Sequence, residues 1–376
     1  MAGIYIHIPF CRQACHYCDF HFSTNQSSVK EMSNAICWEL RFQKNYLPDS
    51  AVETIYFGGG TPSVFPPALL EEILHTIRNH YRIVQSPEVT VEANPEDLSL
   101  AALQGLKSLG VDRLSIGAQS FNPKVLKFLN RSHDVSQIKG AIEKARQVGF
   151  ENLNVDLIYA IPDRAPEELV EDLDLLLELS PEHISAYSLT IEEKTVFGNW
   201  VKSGKFHTVS EEGNANQFEA VMDKLVNAGY DHYEISNYAK PGFESRHNSS
   251  YWKQKKYLGV GPSAHSFDGR VRQFNIASNP AYLKSIAEGN VPAQVEVLTK
   301  ENMINEYIMT SLRTKWGCNL NHLKEVHQFD LLEIHGDFVT FLIGKGLMML
   351  ENEILTCTRS GKMFAHKLSS DLFLIT

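Results

Sequence analysis

No segment of this sequence approaches the roughly 18 consecutive apolar residues that mark a membrane-spanning helix. No transmembrane anchor is therefore expected, although peripheral membrane contact stays open. Basic charge is in deficit: 35 Lys and Arg stand against 45 Asp and Glu, a net charge of −10. That removes the broad cationic face by which proteins hold nucleic acid, so no nucleic-acid partner is expected. Low-complexity tracts and fixed-period repeats are missing as well, which excludes solenoids and disordered linkers. The opening MAGIYIHIPF lacks a basic n-region and a cleavable apolar stretch, so no secretory leader is expected and a cytoplasmic location is. Cysteine is scarce, six in 376 residues. In a cytoplasmic chain of this length that argues against a disulfide scaffold and toward metal binding or catalysis.

What is present is a repeated strand-then-helix pattern. GIYIHIP alternates apolar and polar residues as a strand does, and VETIYFGGG, EVTVEANP, DRLSIGAQSF, NLNVDLIYAIP and HISAYSLTIEE share its form, a β-rich run ending in turn residues. Helical periodicity falls between them, over residues 66–80, 100–109, 135–148 and 166–179. Apolar strands alternating with helices predict βα units around a parallel sheet. The expected fold class is α/β, a partial (βα)6 TIM-like barrel over residues 1–237. Residues 238–297 read as a connecting segment, and residues 298–376 as a smaller C-terminal helical, winged-helix-like domain. The 43% hydrophobic content is ample for both cores.

In such a barrel the chemistry sits at the ends of the strands. The sequence places Cys11 after the first strand and GGGTP, residues 58–62, after the second. Glu92 and Asn94 end the third, Gln119 follows the fourth, Asp156 lies in the fifth and Thr190 ends the sixth. Each alone is an ordinary strand-end residue; their convergence is what marks a site. The cysteines Cys11, Cys15 and Cys18 are spaced C-x3-C-x2-C, and Phe20 stands where a further cysteine might follow. Two metal readings are open on spacing alone. One is a structural zinc site with Cys37, His7, His16 or His21 as fourth ligand. The other is a [4Fe–4S] cluster on three thiolates, with the fourth iron left for a small chelating ligand beside a glycine run that allows close backbone approach.

The cysteine loop, with Tyr17 ahead of its last cysteine, and the GGGTP loop together resemble the radical S-adenosylmethionine superfamily. The resemblance implies a radical-SAM barrel in which Cys11, Cys15 and Cys18 hold the cluster and S-adenosylmethionine takes the open iron. YIHIPFC, GGGTPS, VEANP, LSIGAQSF with LNRSH, and NVDLIYAIP are similar to the oxygen-independent coproporphyrinogen III oxidase family over roughly residues 4–267. By that resemblance Tyr5, Gly59 and Glu92 contact the nucleotide on the cluster. Gly60, Thr61, Gln119, Arg131 and Asp156 match a second S-adenosylmethionine site, with Thr190 a looser match.

The departures redirect the reading. The oxidases carry a further cysteine where this chain has Phe20, and an extension before the first strand, whereas Tyr5 stands four residues from Met1. HNSSYW, residues 247–252, followed by YLGVGPSAHSF, resembles the heme-chaperone branch of the same family. That resemblance implies a carrier with no catalytic residues that binds heme and transfers it to an acceptor protein; oxidative decarboxylation of porphyrinogen propionates is the alternative. His247 is the expected axial ligand, with His265 and His232 as competitors. Tyr251 and Trp252 offer flat apolar surface, and Arg246, Lys253, Lys255 and Lys256 offer cations for propionates. No Cys-x-x-Cys-His supports covalent heme attachment. Because the cysteines and HNSSYW lie far apart in sequence, cluster loss is expected to leave heme binding largely intact.

The C-terminal stretch reads as three helices and a two-strand wing around residues 351–353, with a Thr cap opening the first helix. No stripe of Lys or Arg marks a recognition helix, so a lid or docking role is expected, and Cys318 and Cys357 read as buried small hydrophobes.

Overall fold

The structure, a computed structural model, describes residues 1–48 and 50–375. Six parallel strands form its centre in sequence order: β1 (Ala2–Ile8), β2 (Val52–Gly59), β3 (Ile83–Ala93), β4 (Arg113–Gln119), β5 (Asn152–Tyr159) and β6 (His183–Ser188). Between them run helices α1 (Val29–Phe42), α2 (Pro67–His80), α3 (Leu100–Ser108), α4 (Pro123–Phe128), α5 (Val135–Val148) and α6 (Pro166–Glu178). Alternation along each strand divides the two faces. On β1, Ile4, Ile6 and Ile8 are buried in the main core with α1 and α2, while Tyr5 and His7 turn inward beside Tyr56. The helix ends obey local rules. Asp134 and Gln137 close a capping box at the start of α5, and Gly149, at φ 90°, ends it in the left-handed region that glycine tolerates.

After α7 (Val196–Lys202) and α8 (Glu211–Asn227), the sheet is extended at both edges. At one, β8 (Asn237–Ala239) pairs antiparallel with β6 and β7 (Asp231–Glu234) lies outside it. Helix α9 (Arg246–Trp252) then leads to the other edge. There β9 (Tyr257–Val260) runs parallel to β1, followed by β10 (His265–Phe267), β11 (Val271–Asn275) and β12 (Ala293–Val297), each antiparallel to its neighbour. Helix α10 (Asn279–Ala287) connects β11 to β12. The twelve-stranded sheet ends at β7 and β12, and the barrel is partial, as its strand pattern predicts. Residues 238–297 are thus woven into the sheet rather than joining two bodies. A physical reason is that β1 would otherwise be an edge with unpaired backbone groups. The Glu39 carboxyl on α1 anchors this extension. It accepts from the Gly261 amide (2.9 Å), from Asn275 (2.8 Å) and from Tyr282 on α10 (2.5 Å).

Helix α9 carries HNSSYW and closes the barrel at the N-terminal ends of its strands. Glu88, at the start of the regular part of β3, accepts from the backbone amides of Arg246 (3.0 Å) and His247 (2.9 Å), which satisfies the otherwise orphaned first turn.

The C-terminal region has its own core around Ile304, Ile308, Leu323, Leu342 and Leu355. It comprises α11 (Lys300–Leu312), β13 (Cys318–Asn319), α12 (Leu320–His327), α13 (Leu331–Gly344), β14 (Met348–Glu351), β15 (Ile354–Cys357), α14 (Arg359–Lys362) and α15 (Ala365–Asp371). Thr299 caps α11 in a capping box with Asn302. The wing turns at Asn352 and Glu353, both at positive φ (50° and 62°), as the tight turns of twisted hairpins require. Cys318 is fully buried and Cys357 partly so. The region is riveted to the barrel by Arg313, whose guanidinium lies 2.6 Å from the Glu234 carboxylate and stacks over Trp252 at 5.1 Å. The Glu234 side chain is 0% exposed, so Arg313→Ala would strand a buried charge. The expected cost is about 3–5 kcal/mol of stability, read as a lowered urea midpoint, with Glu234→Gln in the same chain recovering part of it.

Candidate functional site

The cysteine loop leaves β1 and is held by backbone hydrogen bonds at both ends: Cys11 to the Ser23 carbonyl (3.0 Å), Ser23 to the Pro9 carbonyl (2.9 Å) and His16 to the Leu129 carbonyl (3.2 Å). The glycine run packs directly on it. The Gly60 amide donates to the Ile8 carbonyl at 2.9 Å and Thr61 to the Phe10 carbonyl at 2.7 Å. A Cβ on Gly60 would lie 2.6 Å from the Phe10 oxygen, and Gly59 sits at φ 110° against the His7 ring. Only glycine fits this approach. The Thr61 hydroxyl reaches Cys11 Sγ at 3.4 Å, and Arg131 Nη1 reaches Cys15 Sγ at 3.3 Å. Arg131 Nη2 donates to the Asn94 side-chain oxygen (2.6 Å) and to the Gly117 carbonyl (2.9 Å).

These groups wall a cavity of about 620 Å³. Cys11, Cys15, Cys18, Gly59, Gly60, Thr61, Glu92, Gln119, Arg131, Asp156 and Thr190 all line it, so residues spread over most of the barrel sequence meet at one mouth. Gln119, at φ 68° in a break of the β4–β5 register, is held in a conformation unusual for a non-glycine residue. Deeper in, Glu92 accepts from the Tyr56 hydroxyl (2.7 Å) and Asp156 from Asn154 (2.7 Å). Burial pushes the Glu92 carboxyl up to about 7, against the pull of the Tyr56 hydroxyl, and raises Asp156 in the same way. Burial also pushes the Cys11 and Cys18 thiols up to about 11, so loading a metal on them releases protons.

The donor set distinguishes the two metal readings. Among the described residues no group of three or more His, Cys, Asp or Glu side chains is drawn together tightly enough for a single ion. Cys37 is buried on α1, and the ring nitrogens of His7 are spent on Tyr5 (3.1 Å) and the His21 carbonyl (2.9 Å). A cubane takes one thiolate at each of three corners and spreads its sulfurs wider than one tetrahedral ion does. Three partly open thiols on one cavity rim beside an arginine fit that anionic body.

Two expected residues lie elsewhere. Tyr5 is not on this rim; its hydroxyl bonds His7, and it lines a neighbouring cavity. His247 lies in the barrel floor, 1% exposed. Its Nδ1 bonds Thr54 (2.7 Å), its Nε2 bonds the Tyr251 hydroxyl (2.7 Å), and its ring stacks on Tyr56 at 4.9 Å. Burial, with Arg113 nearby, lowers it to about 3. Both ring nitrogens are occupied, so this geometry does not offer His247 as an axial ligand; it stays in the floor because α9 docks on Glu88. His232 is likewise buried, stacked on Tyr238 at 4.2 Å. None of the described residues of the C-terminal region lines the cysteine cavity; Glu306 and Thr310 line the neighbouring one.

Comparison with known proteins agrees with this architecture. The radical SAM superfamily pattern matches residues 5–176, and the HemN C-terminal domain matches residues 298–364. The heme chaperone HemW of Lactococcus lactis is 36% identical over 359 residues, 95% of this chain and 93% of that protein. The heme chaperone HemW of Bacillus subtilis is 36% identical over 376 residues, 98% of each. The chain belongs to the heme chaperone HemW family. Among solved structures, coproporphyrinogen III oxidase (HemN) from Escherichia coli, a radical SAM enzyme, superposes with a TM-score of 0.85 at 21% identity, covering 99% of this chain and 90% of that one. At that identity it shares the fold. As a radical SAM protein of the HemW family, the chain uses a [4Fe–4S] cluster and S-adenosylmethionine as cofactors.

Sequence reasoning left out several cavity residues: Asp19 after the last cysteine, Ser115 on β4 and Tyr187 on β6. A signal for the last two was there. Arg113, Ser115 and Gly117, like His183, Ser185 and Tyr187, alternate with apolar neighbours and fill the inward positions. The Glu92 carboxyl generates a testable pH effect. Its folded pKa lies above the ordinary carboxyl range, so the cofactor-free protein should lose stability as pH rises toward and through about 7. Glu92→Gln should remove that loss, giving a higher denaturation midpoint than wild type at pH 8 and the same one near pH 4.

Proposed function

We propose that this chain is a heme carrier that binds heme and passes it to an acceptor protein in the cytoplasm, with the cluster and nucleotide site regulating that traffic. The observation that carries the reading is end-to-end likeness to heme chaperones, 36% identity over 95% of the chain. Phe20 supports it: it stands at the cavity rim, 74% exposed, where the oxidase family has a further cysteine, and it has no atom to offer a metal.

In this reading Cys11, Cys15 and Cys18 hold the cluster, and Gly59 and Glu92 face the nucleotide on its open iron, with Tyr5 behind them. Gly60, Thr61, Gln119, Arg131 and Asp156, which line the same cavity, would hold a second S-adenosylmethionine, with Thr190 beside them. The residue types suit the ligand: carboxylates for ribose hydroxyls, a guanidinium for an α-carboxylate. When bound, the cluster and nucleotide supply one-electron chemistry; the chain supplies orientation and a partly enclosed cavity.

Anaerobic reconstitution should yield about four irons and four sulfides per chain, and Cys15→Ala should abolish them. The reconstituted protein should give a saturable Soret band with heme and leave coproporphyrinogen III unconsumed. Consumption of coproporphyrinogen III with release of 5′-deoxyadenosine would replace the carrier reading with the oxidase one.

A further inference from the structure

A second cavity, of about 450 Å³, opens beside the cysteine cavity, and none of the cofactors placed above occupies it. Its walls are of another kind. Tyr5, Phe20, Tyr251, Trp252, Tyr257 and Phe267 give it broad aromatic surface, suited to a flat macrocycle. Two cations, Lys255 and Arg272, stand in the same lining. Lys255 pairs with Glu53 at 3.0 Å, and Arg272 pairs with Glu306 of α11 at 2.8 Å. A planar apolar body carrying carboxylates is the chemical class these walls fit, with its carboxylates taking the place of the protein's own on those cations.

Three histidines line the cavity, and they differ in what they can offer. His7 has both ring nitrogens engaged. His21 Nε2 is tied to Asn279 Oδ1 at 2.8 Å. His265, at the start of β10, reaches solvent on one side and stacks its ring on Phe274 at 5.6 Å on the other. Among the described residues its ring nitrogens find no hydrogen-bond partner, so a lone pair is free to meet iron.

We propose that this cavity is the heme site, with His265 as the axial ligand and Lys255 and Arg272 facing the propionates. The assignment rests on the heme-carrier reading above and names where that cargo binds. Burial on the cavity side, and Arg272 beside it, lower the His265 pKa, which favours the neutral ring that binds iron. Asp19 and Phe20 line both cavities and follow Cys18 directly. One wall of the cargo site is therefore an extension of the cluster loop, and the two sites are neighbours rather than the independent centres their sequence separation suggests.

Titration of hemin into the anaerobically reconstituted full-length protein tests this, with the Soret band as readout. His265→Ala should weaken binding at least tenfold and lose the wild-type band, and added imidazole should restore the band. Thr310→Trp, which fills the cavity from α11 without touching a ligand, should weaken hemin comparably while leaving iron and sulfide content unchanged. His247→Ala should lower thermal stability but keep the wild-type band. A wild-type band and affinity in both His265→Ala and Thr310→Trp would overturn the site while leaving the carrier reading standing. Absence of any saturable band in the wild-type protein would overturn both.

Discussion

The contact on which the site depends is one between two backbones. Gly60 and Thr61 donate to the carbonyls of Ile8 and Phe10, so the turn after β2 lies flat on the chain that leads into the cysteines. No side chain could stand at Gly60, where its Cβ would meet the Phe10 oxygen at 2.6 Å. This contact sets the position of Cys11 relative to the barrel rim. Arg131, tied to Cys15, Asn94 and Gly117 together, then relates the cysteine loop to the ends of β3 and β4. Backbone hydrogen bonds in a partly enclosed place are costly to lose, so the chain's own contacts hold the cysteine loop against the rim.

Beneath the rim the barrel is polar where most barrels are apolar. The outward faces of the strands feed the main core, the inward faces carry Glu92, Asp156, Asn154, Ser185 and the imidazole of His183, and α9 adds the imidazole of His247 from below. Such groups are tolerated inside only when hydrogen-bonded, and many are. His183 bonds Asn154 and Tyr233, each at 2.6 Å, and His247 bonds Thr54 and Tyr251. Burial holds both rings neutral. HNSSYW is in this sense a structural plug: its histidine completes the floor, and its Tyr251 and Trp252 turn toward the aromatic cavity.

The C-terminal unit occupies the side of the open barrel. Arg313 and Lys315 join it to β7 and to Glu244, and Arg272 on β11 joins it to Glu306. It thus links β7 at one edge of the sheet to β11 next to the other edge, and forms part of the wall of the aromatic cavity. The same Arg272 thus serves both the interface and the cavity.

Much of this was legible in the chain itself. Period-2 runs, helical faces and caps are local properties, written in neighbouring residues, so the six βα units, the C-terminal helices and the wing follow from sequence. The cysteine spacing and the glycine run carry their chemistry for the same reason: only residues a few positions apart can share a loop, and only glycine allows so close an approach. Which distant residues meet was not legible. His247 became a floor residue because Glu88, 159 positions away, caps its helix. His265 stands at an open cavity because β9 pairs with β1 and β10 folds back on β9. Phe20 separates two cavities because α9 and α11 arrive from the far end of the chain. Those outcomes depend on burial and on partners that no local pattern names, and only the folded chain decides them.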